Sequence, residues 1–130
     1  MDTSQGTIHW SELMTRDPAA AKAFFERVIG WQIEAFDMGE AHSYHVCMQG
    51  GRPIAGIFTM DGPDFTDMEP HWMTYIAVED ADKTCEQTVA AGGEVVRPCF
   101  DVETVGRIAM IKDPTGGVVG IIKPAAQATA

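Results

Sequence analysis

One carboxylate, Glu12, stands inside an alternating run, Thr7-Ile8-His9-Trp10-Ser11-Glu12-Leu13-Met14, that reads as a β-strand. Side chains alternate across a strand, so Glu12 shares a face with Trp10 and Met14, an aromatic ring and a thioether. A carboxyl group on an otherwise apolar face resists ionisation and can then serve as a general base. Glu12 is therefore the candidate catalytic residue. The structural alternative for it is a hydrogen bond or salt bridge, with Tyr75 or Arg107 as partner. A second run, His71 to Val78, places Met73, Tyr75 and Ala77 on one face by the same rule. Faces built from Trp10, Glu12, Met14, Met73 and Tyr75 suit a flat or hydrophobic small molecule.

Metal chemistry needs clustered His, Cys, Asp or Glu donors. The histidines are His9, His42, His45 and His71, and two of them precede a tryptophan. Alternation turns His9 away from Trp10, whereas His71 shares the parity of Met73. His45 and Cys47 are the other donors close together in sequence. The three cysteines, Cys47, Cys85 and Cys99, are odd in number, widely spaced and without a CxxC. That pattern fits reduced, buried thiols in a cytoplasmic protein better than a disulfide framework. No phosphate-binding glycine loop and no GxSxG nucleophile elbow occurs, and Gly50-Gly51 and Gly116-Gly117 read as turns.

The net charge of −10, with only nine Lys and Arg in 130 residues, argues against nucleic acid as a partner. A small anionic ligand held by one or two basic groups remains compatible with it. The chain has no apolar run of about 18 residues, so no membrane span is expected. Residues Met1 to Gly6 lack the basic and apolar segments of a secretory signal. They and residues 126–130 are expected to be loose ends.

The elements that must position these residues occur twice. A strand leads to Asp17-Pro18, an N-cap followed by proline at the first helical position. A helix follows with Ala20, Ala21, Phe24, Phe25 and Val28 as its apolar stripe, and Gly30 ends it. Strands are expected over residues 31–37, 43–49 and 53–60, with turns at Met38-Gly39-Glu40 and Gly50-Gly51. A polar linker covers residues 61–70. Then the plan repeats: a strand over 71–78, a helix over about 81–91 ending at Gly92-Gly93, and strands over 94–102, 107–112 and 118–123. A constant offset of 63 residues pairs Asp17 with Asp80 and Gly30 with Gly93. Each half is βαβββ, and one helix on four strands cannot enclose a core alone. The expectation is one α+β domain over residues 1–130. Its two βαβββ modules, about 7–60 and 70–124, form a cup-shaped mixed sheet with the helices outside.

This order resembles the vicinal oxygen chelate superfamily, the glyoxalase/bleomycin-resistance/dioxygenase-like domain, over about residues 7 to 124. The resemblance rests on Thr15-Arg16-Asp17-Pro18-Ala19-Ala20-Ala21-Lys22-Ala23-Phe24-Phe25 leading to Ile29-Gly30-Trp31, on the Asp113-Pro114-Thr115-Gly116-Gly117 turn before the last strand, and on the internal repeat. It implies a ligand on the concave face of the sheet and, in many members, a divalent metal held by His or Glu on the first and last strand of each module. Here the first-strand positions fall on Trp10 and Met73, and the glutamate position of the last strand falls on Gly120. The strand Pro53 to Met60 has no Asp, Glu or His. No metal and no cofactor is therefore expected, and Gly120, whose missing side chain is expected to leave room for a ligand, joins Trp10, Glu12, Met14, Met73 and Tyr75 as a ligand-binding position. The function expected is metal-free binding of a small molecule; the alternative is a metal-dependent lyase, isomerase or dioxygenase with a relocated metal on His71, His45 or Glu12. The resemblance also implies a homodimer; Phe65 and Met68, the apolar residues of the linker, are expected to lid a groove of that kind.

Overall fold

The computed structural model describes residues 5–37, 43–102 and 105–125. The Met38-Gly39-Glu40 turn, His42 and the chain ends 1–4 and 126–130 lie outside the described residues. Among the described residues eight strands and two α-helices follow in the expected order, an α+β fold of two βαβββ modules. The first module holds β1 (Ile8–Thr15), α1 (Pro18–Val28), β2 (Gln32–Asp37), β3 (Ser43–Gln49) and β4 (Arg52–Thr59). A short 3₁₀ turn, Pro63–Phe65, lies in the linker. The second module holds β5 (His71–Ala77), α2 (Ala81–Ala90), β6 (Glu94–Val102), β7 (Gly106–Lys112) and β8 (Val118–Pro124). By compactness, residues 10–73 form one unit, and residues 1–9 with 74–130 form another.

Both helices begin as their sequences dictate. The Asp17 carboxylate accepts the Ala20 N–H at 3.0 Å and the Asp80 carboxylate accepts the Lys83 N–H at 3.0 Å, each satisfying a donor that the first turn leaves open. Both helices end near a glycine in the left-handed region, Gly30 at φ +89° and Gly92 at φ +93°. The conformational match is thus Gly30 with Gly92, one residue off the offset that aligns the caps.

In the first module the strand order is β2-β3-β4-β1, with β1 parallel to β4 and the remaining pairs antiparallel. Leu13, Ile33, Cys47, Ala55 and Ile57 form its core, and Ala21, Phe25 and Trp31 pack on that core from α1 and its exit. The α1 stripe is wider than the face it buries: Phe24 and Val28 are 55% and 57% exposed. Phe25 and Trp31 continue outward to Trp72, with ring centroids 5.8 and 6.5 Å away.

The second module repeats the arrangement as β5-β8-β7-β6, with β5 parallel to β8. Its core is Val78, Ala81, Ala109 and Ile121, with Cys85, Cys99 and Ile111 against it. Residues 5–7 are not loose: Gly6 N–H donates to the Ala77 carbonyl, Ala77 N–H to the Thr7 carbonyl, and the Gln5 side chain accepts from Glu79 N–H. No helix among the described residues is long and apolar enough to cross a membrane.

Replacing Asp17 or Asp80 by alanine should lower the unfolding free energy by about 1 kcal/mol each, and by asparagine much less. Urea denaturation of the four variants checks this; equal losses for Ala and Asn would show that the cap bond contributes nothing.

Candidate functional site

The core of the first module fixes which side chains lie on the other side of its sheet. Leu13 and Ile57 lie under α1, so period-two alternation turns Trp10, Glu12 and Met14 of β1 and Gly56 and Phe58 of β4 to the opposite face. Register then brings neighbours together on it. Glu12 pairs with Gly56 and Met14 with Phe58 across the parallel ladder, while Tyr44 pairs with Phe58 and Val46 with Gly56 across the antiparallel one. Glu12 and Met14 are buried, and Trp10, Tyr44 and Phe58 are half-buried.

Tyr44 adds a second aromatic ring to this face. Its ring leans over Gly56 so closely that a Cβ on residue 56 would collide with the phenol oxygen. There the Tyr44 hydroxyl accepts a hydrogen bond from Trp10 Nε1 at 2.9 Å. Glycine is required at 56 for this close approach of ring to backbone. The result is an indole and a phenol tied together over Gly56, the ladder partner of Glu12. Tyr44 was missed in the sequence, where only its alternation within β3 could have pointed to it.

Trp10 stands at a position where a metal ligand is expected from the resemblance, and β4 carries no Asp, Glu or His. An indole N–H only donates, and it is already committed to Tyr44. These side chains do not fit a divalent ion. In the second module the Met73 thioether and Gly120 are equally poor donors, and β8 holds no carboxylate or imidazole. Among the described residues no three His, Cys, Asp or Glu side chains gather into a ligand set.

Tyr75 lies beside Gly120 in the β5–β8 ladder. The room expected above Gly120 for a ligand is taken by the Tyr75 ring, which a Cβ on residue 120 would strike. Each module thus sets a tyrosine ring over a last-strand glycine. Met73, Tyr75, Ala77, Ile108, Met110 and Ile122 are all buried. Arg107, considered as a partner for Glu12, instead binds Asp82 through Nε and Nη2, both at 3.0 Å, and Asp101 through Nη1 at 3.1 Å.

The histidines are elsewhere. His45 and Cys47 have the parity of the core and face α1, so they cannot join Glu12 on the opposite face. Burial lowers the pKa of His45, helped by the positive charge of Lys22, and raises that of the Cys47 thiol to about 11. Burial also lowers the pKa of His9, and the Nδ1 atoms of His9 and His45 have no hydrogen-bond partner. His71 Nδ1 sits 2.7 Å from the Glu69 carbonyl. The linker, by contrast, reaches the candidate face: Phe65 packs edge-on against Phe58 at 5.8 Å. Arg16, one residue before the α1 cap, holds that linker through the carbonyls of Phe65, Thr66 and Met68. Met68 lines a shallow depression with Pro63, Thr66 and Asp67.

Comparison with known proteins agrees with this architecture. A family model described as the Glyoxalase/Bleomycin resistance protein/Dioxygenase superfamily matches residues 7–121. The chain belongs to that superfamily. Among curated relatives of this glyoxalase-superfamily chain, a Mycobacterium bovis protein named "Putative glyoxylase CFP32" is 36% identical over 122 residues, covering 94% of this chain and 46% of the relative. The Streptomyces peucetius "Anthracycline biosynthesis protein DnrV" is 28% identical over 127 residues, covering 89% of this chain and 46% of the relative. The chain therefore spans about half the length of these relatives. Among solved structures, methylmalonyl-CoA epimerase from Mycobacterium tuberculosis matches with a TM-score of 0.63 at 14% identity, over 97% of this chain and 93% of that one. A hypothetical protein, BH1468 from Bacillus halodurans, matches with a TM-score of 0.70 at 9% identity, over 96% and 99%. At such identities the likeness is one of fold.

The Tyr44–Gly56 approach predicts a double-mutant cycle. Gly56→Ala should cost about 1–3 kcal/mol of stability by overpacking, and most of that cost should vanish in a Tyr44→Ala background. Additive losses in urea denaturation would show that Tyr44 does not occupy the space over Gly56.

Proposed function

We propose that this glyoxalase-superfamily domain binds a flat, partly apolar small molecule without a metal, on the face of the first module that carries Trp10, Glu12, Met14, Tyr44 and Phe58. The observation that carries the reading is the Trp10–Tyr44 hydrogen bond over Gly56. It holds two aromatic groups together, one of them, Trp10, at a position where the superfamily resemblance called for a metal donor. Aromatic rings held in place stack on a planar ligand at little entropic cost. Glu12, beside them, accepts a hydrogen bond from a ligand hydroxyl or amine and gives the face its polarity. If turnover occurs, Glu12 is the group to move a proton. The relative named for anthracycline biosynthesis supports a planar polycyclic ligand, because anthracyclines contain fused aromatic rings.

The metal-dependent reading, a lyase, isomerase or dioxygenase with a relocated ion, needs donors that this face does not have beyond Glu12.

Titration of an anthracycline, followed by quenching of its fluorescence, tests the proposal. Saturable binding is expected, weakened about tenfold or more by Trp10→Ala and to a smaller extent by Glu12→Gln, with the fold unchanged by circular dichroism. Binding insensitive to both substitutions, or no binding by any member of a panel of planar aromatic ligands, would overturn it.

A further inference from the structure

The second module contains a pair of thiols that the proposed ligand face does not use. Cys85 lies in the middle of α2 and Cys99 on β6, and their Sγ atoms are 3.6 Å apart. Both are half-buried and form no disulfide, whereas Cys47 is fully buried. A disulfide needs S–S of about 2.05 Å, so closure requires a movement of about 1.5 Å. The strand is built to allow it. The β6–β7 register shifts between Val95 and Arg97 and again between Arg97 and Phe100, so Cys99 sits in an irregular stretch of β6 and is free of strict ladder geometry.

We propose that Cys85 and Cys99 are a redox-reversible dithiol, converted to an intramolecular disulfide by a small-molecule disulfide of the glutathione class. Cys85 sulfur attacks one sulfur of that oxidant, forming a mixed disulfide and releasing the first small thiol. Cys99 sulfur then attacks Cys85 sulfur, and the second small thiol leaves with the Cys99 proton. Two protein thiols are oxidised and one external disulfide is reduced to two thiols.

The charged groups around the pair set the order of these steps. Asp82 of α2 lies next to Cys99, and Arg107 of β7 ties Asp82 to Asp101 of β6. Burial, then the neighbouring Cys85 and the negative charge of Asp82, push the Cys99 thiol up to about 11. The Cys99 thiolate is thereby disfavoured, and the proposal assigns Cys99 as the resolving thiol with Cys85, across the 3.6 Å gap, as the point of entry. Closure ties α2 to the β6–β7 hairpin across a short loop, which rigidifies the module.

The test is incubation of the whole chain with excess oxidised glutathione, acid quenching, alkylation and mass spectrometry. The expected product has lost two hydrogens, keeps no glutathione, and yields a Cys85–Cys99 cross-linked peptide. Its melting temperature should rise by about 5 °C and return when dithiothreitol is added. Cys47→Ser should behave like the unmodified sequence, and Cys99→Ser should instead retain glutathione on Cys85. Stable glutathione adducts on the native chain, a cross-link that includes Cys47 or joins two chains, a lowered melting temperature, or no oxidation would each overturn the proposal. The peptide map of the native chain decides the matter even where a variant fails to fold.

Discussion

Leu13 is held beneath α1 with Ile33, Cys47, Ala55 and Ile57, and everything else about the candidate face follows from that clamp. A strand has two faces and a period of two, so burying Leu13 under the helix obliges Trp10, Glu12 and Met14 to point the other way. The parallel ladder with β4 then places Gly56 beside Glu12, and the antiparallel ladder with β3 brings Tyr44 onto the same face. A slip of one residue would exchange Glu12 for Leu13 and put a carboxylate beneath the helix, where an unpaired charge is costly. The hydrophobic core thus sets the chemistry of the opposite side without touching it.

On that side two aromatic rings are held in place. Gly56 lacks the Cβ that would keep Tyr44 away, Tyr44 lies over it, and the phenol oxygen ties down the indole of Trp10. The second module shows the same device in reduced form, Tyr75 over Gly120. The chain has the repeated scaffold of the glyoxalase superfamily, and the positions where the resemblance implied metal ligands hold an indole (Trp10), a thioether (Met73) and a glycine (Gly120). An indole N–H offers an ion no lone pair, whereas a ring pair fixed by a hydrogen bond loses little freedom when a planar molecule stacks on it.

Much of this was legible in the sequence because it is local. Asp17-Pro18 and Asp80 announce helix starts through the first-turn N–H groups that they cap, and strand alternation set Trp10 with Glu12 and against His9. The superfamily resemblance supplied the order of modules, and the family match bears it out. Tyr44 was not legible: its place depends on pairing with Phe58, fourteen residues on, and no local pattern encodes that register. Nor did composition reveal that Phe24 and Val28, although at helical spacing with Phe25, would remain exposed, because stripe width on a helix exceeds what one sheet covers. The proximity of Cys85 to Cys99 is of the same non-local kind, a product of α2 packing over β6. The room expected above Gly120 failed for a simple steric reason: a glycine invites whatever ring is nearest, and in this module that ring belongs to Tyr75.

Anomalous diffraction from crystals soaked in Zn²⁺ or Ni²⁺ tests the central claim most directly. The account predicts no anomalous peak over Gly56, with Tyr44 Oη still within about 3 Å of Trp10 Nε1. An ordered ion there, bound by Glu12 with the Trp10–Tyr44 pair broken apart, would contradict it.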